Sequence, residues 1–138
     1  MKTAFSIAAL AVLLVAPNPC FALWSVAIVS KERAKELHME VRSERAGPTH
    51  VRVELDFKVE GPLKNFNRVE LRFGKGDNPP LTAPLQEDRS KSGRVVVSFH
   101  VSRADLDKVN LWVMVPESLG GTAYVLRVKD FVEPEKAR

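Results

Sequence analysis

The chain of 138 residues contains a single cysteine, Cys20, and only three histidines. One cysteine rules out an intrachain disulfide and any structural zinc site built on several thiolates. Charge of one sign is also scarce: 21 Lys+Arg stand against 17 Asp+Glu, a net of +4. The basic residues are scattered, with Lys31, Arg33 and Lys35 among Glu32 and Glu36, and Arg89, Lys91 and Arg94 following Glu87 and Asp88. Nucleic-acid binding calls for a concentrated basic face with interleaved aromatics, and no such face is encoded. The sequence has no G-x-S-x-G elbow and no H-x-H or H-E-x-x-H spacing, so the common hydrolase and zinc-protease patterns are missing. Ser98 and His100 point to one side of an extended segment, but every strand places residues two apart on one face, and this pair alone does not make a nucleophile and base.

Long apolar runs are limited to the amino end. Lys2 gives a positive start, Ala4 to Ala16 is apolar apart from Ser6, and Pro17-Asn18-Pro19 ends any helix. Ala22 and Cys20 then supply the small residues one and three places before a cut. This is the three-part pattern of a secretory signal peptide, residues 1–22, with a mature start at Leu23. Pro17 and Pro19 stand where a lipoprotein signal needs aliphatic and small residues, which argues against a lipid anchor. The apolar run resumes from Phe21 to Val29, yet a membrane span needs about 20 largely apolar residues and is poorly built around two prolines. The expectation is an exported, cysteine-free chain without a stable span after cleavage. It has one domain over 23–132 and a short polar tail, 133–138.

The strongest pattern is alternation. In Val51-Arg52-Val53-Glu54-Leu55-Asp56-Phe57-Lys58-Val59 every odd residue is apolar and every even one charged, the signature of a strand with one face in a core. The same period recurs at Val69/Leu71/Phe73, Val95/Val97/Phe99/Val101 and Val109/Leu111/Val113/Val115, and more loosely at Tyr124/Leu126/Val128. Val26 to Ser30 reads as a further strand. Leu37 to Glu44 is also read as one, although Ala34, Leu37 and Val41 fit one side of a helix. Gly61-Pro62, Gly74 to Pro80, Ser90 to Gly93 and Gly120-Gly121 break the segments. Ser102-Arg103-Ala104-Asp105-Leu106 has the hydroxyl-to-carboxylate spacing of a helix start and predicts one turn crossing between sheets. The resulting fold class is all-β: an antiparallel, immunoglobulin-like β-sandwich of seven or eight short strands, preceded by the signal-peptide helix. A small β-barrel is the alternative. Arg52 to Phe57 nearly repeats at Arg68 to Phe73, and this suggests two neighbouring strands of one hairpin with their charged groups face to face.

On the strand from Val109 to Val115 the inward set is complete, so Asn110, Trp112 and Met114 face the other way. An outward tryptophan and methionine mark a contact surface, unless the strand is covered on both sides or Trp112 lies under the tail around Phe131. Lys75, Asp77 and Asn78 sit in a long turn-rich loop, where binding groups are commonly carried. A copper or zinc site would have to use His38, His50 and His100, with Met39 or Met114 as a softer ligand, but His38 and Met39 would point to opposite faces of a strand. The sequence thus points to a non-enzymatic binding or protein-interaction module of the cell envelope or extracellular space. No cofactor is expected, and the partner would be an envelope or extracellular protein or glycan. Metal binding through the histidines is the alternative.

Overall fold

The computed structural model describes residues 24–74 and 81–134. The signal peptide assigned to residues 1–22, the loop residues Lys75, Asp77 and Asn78, and the last four residues of the tail lie outside the described residues.

Alternation along each strand sorts side chains between two faces and so decides where the core sits. The chain runs β1 (Trp24–Ile28), α1 (Lys31–Glu36), β2 (Met39–Arg45), β3 (His50–Lys58), β4 (Arg68–Phe73), β5 (Leu81–Pro84), β6 (Arg94–Ser102), β7 (Val109–Glu117), β8 (Gly120–Arg127) and α2 (Val128–Phe131). Short 3₁₀ turns at Gly61–Leu63 and Arg103–Lys108 connect β3 to β4 and β6 to β7. One sheet has five strands in the order β1-β8-β7-β4-β5, and the other has three in the order β2-β3-β6. The fold is all-β with little helix, and no ladder joins the two sheets among the described residues.

The odd residues Val51, Val53, Leu55 and Phe57 of β3 and Val95, Val97, Phe99 and Val101 of β6 form one continuous core with Val69 of β4, Val109, Leu111, Val113 and Val115 of β7, and Leu126 of β8. Val53, Leu55, Phe57, Leu111, Val113 and Leu126 are all 0% exposed, and each such side chain contributes about 1.5–3 kcal/mol by leaving water. Phe57 meets Phe66 edge-on, with ring centroids 5.1 Å apart and planes at 87°.

Several expectations need correction. The two similar hexamers do not form a hairpin: β3 belongs to the three-stranded sheet and β4 to the five-stranded one. The link between them carries Leu63 and Phe66 into the core, which makes it a crossover rather than a turn. Charged groups on β4 pair along their own strand instead of across to β3, with Glu70 held by Arg68 and Arg72. Among the described residues pairing is antiparallel except between β1 and β8, which run parallel.

Leu37 does not begin a strand. The stretch Lys31–Glu36 is helical, with the Ser30 hydroxyl accepting from the Arg33 amide at 3.1 Å, and Leu37 caps its end. His38 then takes φ 55°, a left-handed turn that sends the chain into β2 at Met39. The crossing turn after β6 exists, but Ser102 makes no side-chain cap bond, and Asp105 instead pairs with Lys108 at 3.3 Å. Val128 opens α2 rather than extending β8. β5 falls in what reads as a loop; all four of its residues are exposed, so no alternation announces it.

One glycine is required by space. Gly121 sits opposite Pro116 in the β7–β8 hairpin at φ +152°, and a side chain there would strike the Val115 carbonyl, Pro116 Cα and the Trp24 ring. Trp24 therefore lies across the hairpin end on the outer side of the larger sheet.

Replacing Phe57 by alanine removes the largest fully buried side chain and strands Phe66. The expected cost is about 3–5 kcal/mol, measured by urea unfolding. A loss below about 1 kcal/mol would mean that the two sheets do not share this core.

Candidate functional site

The outer face of the five-stranded sheet is built by the register of its strands. Across one row, Ile28 neighbours Val125, Val125 neighbours Trp112, and Trp112 neighbours Glu70. In the next row Val26, Ala123, Met114 and Arg68 stand side by side, and in the third Trp24, Gly121 and Pro116. In the fourth row Arg127, Asn110 and Arg72 stand side by side, so the face is apolar over β1 and most of β8 and β7, polar in that end row and charged on β4. Asn110, Trp112 and Met114 all lie on it, as the alternation of β7 requires.

They are not equally open. Met114 is buried at 7% exposure, because the central strand places it between Ala123 and Arg68; it is no free contact group. Asn110 and Trp112 are half-buried. Trp112 is not covered by the tail, since Phe131 packs against the inner core. Its cover is Arg72, whose guanidinium carbon lies 3.6 Å from the indole centroid. Trp112 Nε1 is buried and has no hydrogen-bond partner among the described residues.

Beside it, Glu70 is 7% exposed, with Arg68 and Arg72 donating to its two oxygens. Burial by itself would raise its pKa. The two guanidinium hydrogen bonds and charges outweigh that effect and hold the carboxyl below its ordinary range. Glu70 is thus a charged group that locks two arginines in place, and one of them lies flat on Trp112.

The exposed part of this face lies on β1. Val26 is 56% and Ile28 54% exposed, and Trp24 is 37% exposed. Sequence reading treated this segment as a strand without weighing its exposure. The available signal was the composition Trp-Ser-Val-Ala-Ile, an apolar strand with no charged residue in it.

The opposite outer face, on the three-stranded sheet, is a charge ladder. Arg42 bonds Glu40 and Glu54, Arg52 pairs with Glu44 and Glu54, and the buried Asp56 accepts from Arg94 at 2.9 Å with Arg42 at 3.6 Å. The hydrogen bonds that Arg42 donates to Glu40 and Glu54 raise its pKa further. Cations and carboxylates alternate, so the face offers no single-sign surface to a ligand. A groove of about 610 Å³ between the 3₁₀ turn after β6 and α2 is also mixed, with Arg103 and Lys129 facing Asp107 and Glu133 around Leu106 and Val132.

The histidines are divided. His50 and His100 share the outer face of the small sheet at adjacent register steps, His50 opposite Ser102 and His100 opposite Arg52. His50 Nδ1 is already 2.9 Å from the Thr49 hydroxyl. His38 lies beyond the other end of β3, 3.7 Å from Glu60, about 25 Å along the strand direction from His50. Of the three candidates the sequence offers, the fold thus places His50 and His100 on one face and His38 near the far end of β3. Among the described residues no three His, Cys, Asp or Glu side chains gather as a metal site. Ser98 and His100 are both exposed on the outer face of β6. No helix among the described residues is long and apolar enough to cross a membrane.

Comparison with protein-family models, curated proteins and solved structures gives no significant match to this chain.

Two outcomes follow from the Trp112 neighbourhood. Because the Glu70 pKa is lowered by folding, its contribution is complete above the ordinary glutamate pKa of about 4.3 and is lost as pH falls through the lower folded value. Stability measured across that acid window should fall in the native protein and fall less in Glu70→Gln; identical slopes would contradict the role given to Glu70. Trp112→Phe keeps a ring under Arg72 and deletes a donor that has no partner. Its stability should lie within about 1 kcal/mol of the native value, and a loss above about 2 kcal/mol would show that the indole N–H is bonded.

Proposed function

We infer that the chain is an exported, immunoglobulin-like β-sandwich acting as a non-enzymatic binding module of the cell envelope or extracellular space. The observation that carries this reading is the outer face of the five-stranded sheet. There an exposed apolar row, Trp24, Val26 and Ile28 on β1, borders the buried Ala123 and Val125 of β8, with the half-buried Trp112–Arg72 stack beyond them. Apolar surface kept in water beside a polar margin is the usual form of a contact site. The signal-peptide pattern of residues 1–22 supports export, and the two sheets sharing a core fit a sandwich.

A protein partner suits the face better than a glycan. Val26 and Ile28 offer nothing to sugar hydroxyls, and Arg72 already occupies a ring face of Trp112, the surface on which a sugar would stack. Arg68 and Arg72, fixed by Glu70, give the margin a positive character that favours carboxylates around an apolar centre.

The test has two measurements on the protein expressed in its own cells. Mass spectrometry of the recovered protein should give Leu23 at the amino terminus, in the envelope or medium fraction. Affinity capture from that fraction should recover a partner with the native protein, and at least tenfold less with Ile28→Arg, an exposed position whose change leaves the core intact. An uncleaved cytosolic protein would overturn the export reading, and equal recovery by both forms would remove this face from the binding role.

A further inference from the structure

The two sheets have four edges, and three of them are protected. The β2 edge carries Glu40, Arg42, Glu44 and Arg45. The β6 edge is covered at Val96, which exchanges two backbone hydrogen bonds with Asp88, at 2.8 and 3.0 Å. β5 has only four residues and ends in Pro84. Charge, cover, short length and proline are the standard means of keeping a sheet edge from pairing with another chain. Among the described residues the β1 edge has none of them: its five residues, Trp-Ser-Val-Ala-Ile, include no charge, proline or glycine, and no described segment covers it.

Its backbone is also set for a partner. Val29 donates to the Val125 carbonyl at 2.8 Å, so the alternation of a parallel ladder turns the amides and carbonyls of Ala27 and Val29 toward β8. Those of Trp24, Val26 and Ile28 then point out from the free edge. These same residues carry the exposed apolar side chains of the outer face.

We propose that β1 pairs antiparallel with β1 of a second copy of this chain across a two-fold axis at Val26, joining the two five-stranded sheets into one. The proposal rests on the reading of this face as a contact surface and names its occupant. The sequence is self-complementary in that register: Val26 meets Val26, Trp24 meets Ile28, and Ser25 meets Ala27. The outward amides and carbonyls of Trp24, Val26 and Ile28 are those that an antiparallel pair with this centre exchanges, two hydrogen bonds at each of the three positions. Both apolar rows fall on the same outer face and cover each other's flank. With no charge on either strand, self-pairing sets no like charges opposite one another, which is the penalty any of the charged edges would meet. Because the contact is two-fold and uses the same surface on both copies, it closes at a dimer.

Sedimentation velocity of the processed native protein across the micromolar range tests this. A monomer–dimer equilibrium is expected, saturating at the dimer. Val26→Lys and Val26→Glu should each be monomeric, with native circular dichroism and thermal midpoint, because the position is 56% exposed. An equimolar mixture of the two should dimerise again, since lysine and glutamate then face each other at the axis. A folding defect could not produce that rescue. The proposal is overturned by a native protein that stays monomeric over this range, by a dimer that persists in Val26→Lys, by open-ended oligomers, or by a charge-swapped mixture that remains monomeric. A monomeric native protein whose envelope partner is still lost on Ile28→Arg would overturn self-pairing and leave the binding reading standing. A dimer with no envelope partner would support self-pairing and count against that broader reading.

Discussion

The interior layer of aliphatic and aromatic side chains between the two sheets carries the structure. With no intrachain disulfide available, the chain relies chiefly on the inward rows of β3 and β6, packed on those of β4, β7 and β8, with Leu37, Leu63 and Phe66 added from the connections, to offset the entropy of ordering its backbone. That demand fixes the inner face of the strands almost completely. The outer faces are left to satisfy other needs, and the two sheets do so in opposite ways. The small sheet lines its outer face with alternating arginines and carboxylates, including a buried aspartate held by Arg94 with Arg42 close by. The large sheet concentrates its charge on β4 and, apart from Asn110 and Arg127 at one end, leaves the outer sides of β7, β8 and β1 apolar.

The charged strip on β4 shapes its neighbour. Glu70 fixes Arg72, and Arg72 covers Trp112, so an aromatic ring on the outer side of a central strand is partly screened from water by a cation. The indole N–H has no partner among the described residues in that arrangement. The stack therefore trades a hydrogen bond for a cation–π contact. This explains why Trp112 is half-buried without being part of the core.

Much of the fold was legible because alternation reports directly on which side chains face inward. The strands around Val53, Leu71, Val97 and Leu111 stand where their periodicity puts them. What alternation does not report is which strand lies beside which. The near-identical hexamers at Arg52 and Arg68 share a pattern and not a sheet, and the parallel sense of β1 against β8 leaves no mark on either segment. Short elements escaped for a related reason. Lys31–Glu36 offers one buried residue, Ala34, and β5 offers none, so neither shows a period. Of the candidate site, the orientation of Asn110, Trp112 and Met114 was readable. The burial of Met114 was not, because it depends on residues brought alongside by β4 and β8. Which of the histidines lie together was not readable either, because that depends on strand pairing: His50 and His100 share a face and His38 lies near the other end of β3.

The parallel pairing of β1 with β8 joins the first described strand to the last. During synthesis β1 emerges well before β8, its neighbour in the sheet among the described residues, exists. Throughout that interval it is a sticky, uncharged ribbon that must be shielded by a chaperone or by dilution. The domain is completed only when its final strand arrives, so any truncation near the carboxyl end would release the amino-terminal ribbon as well.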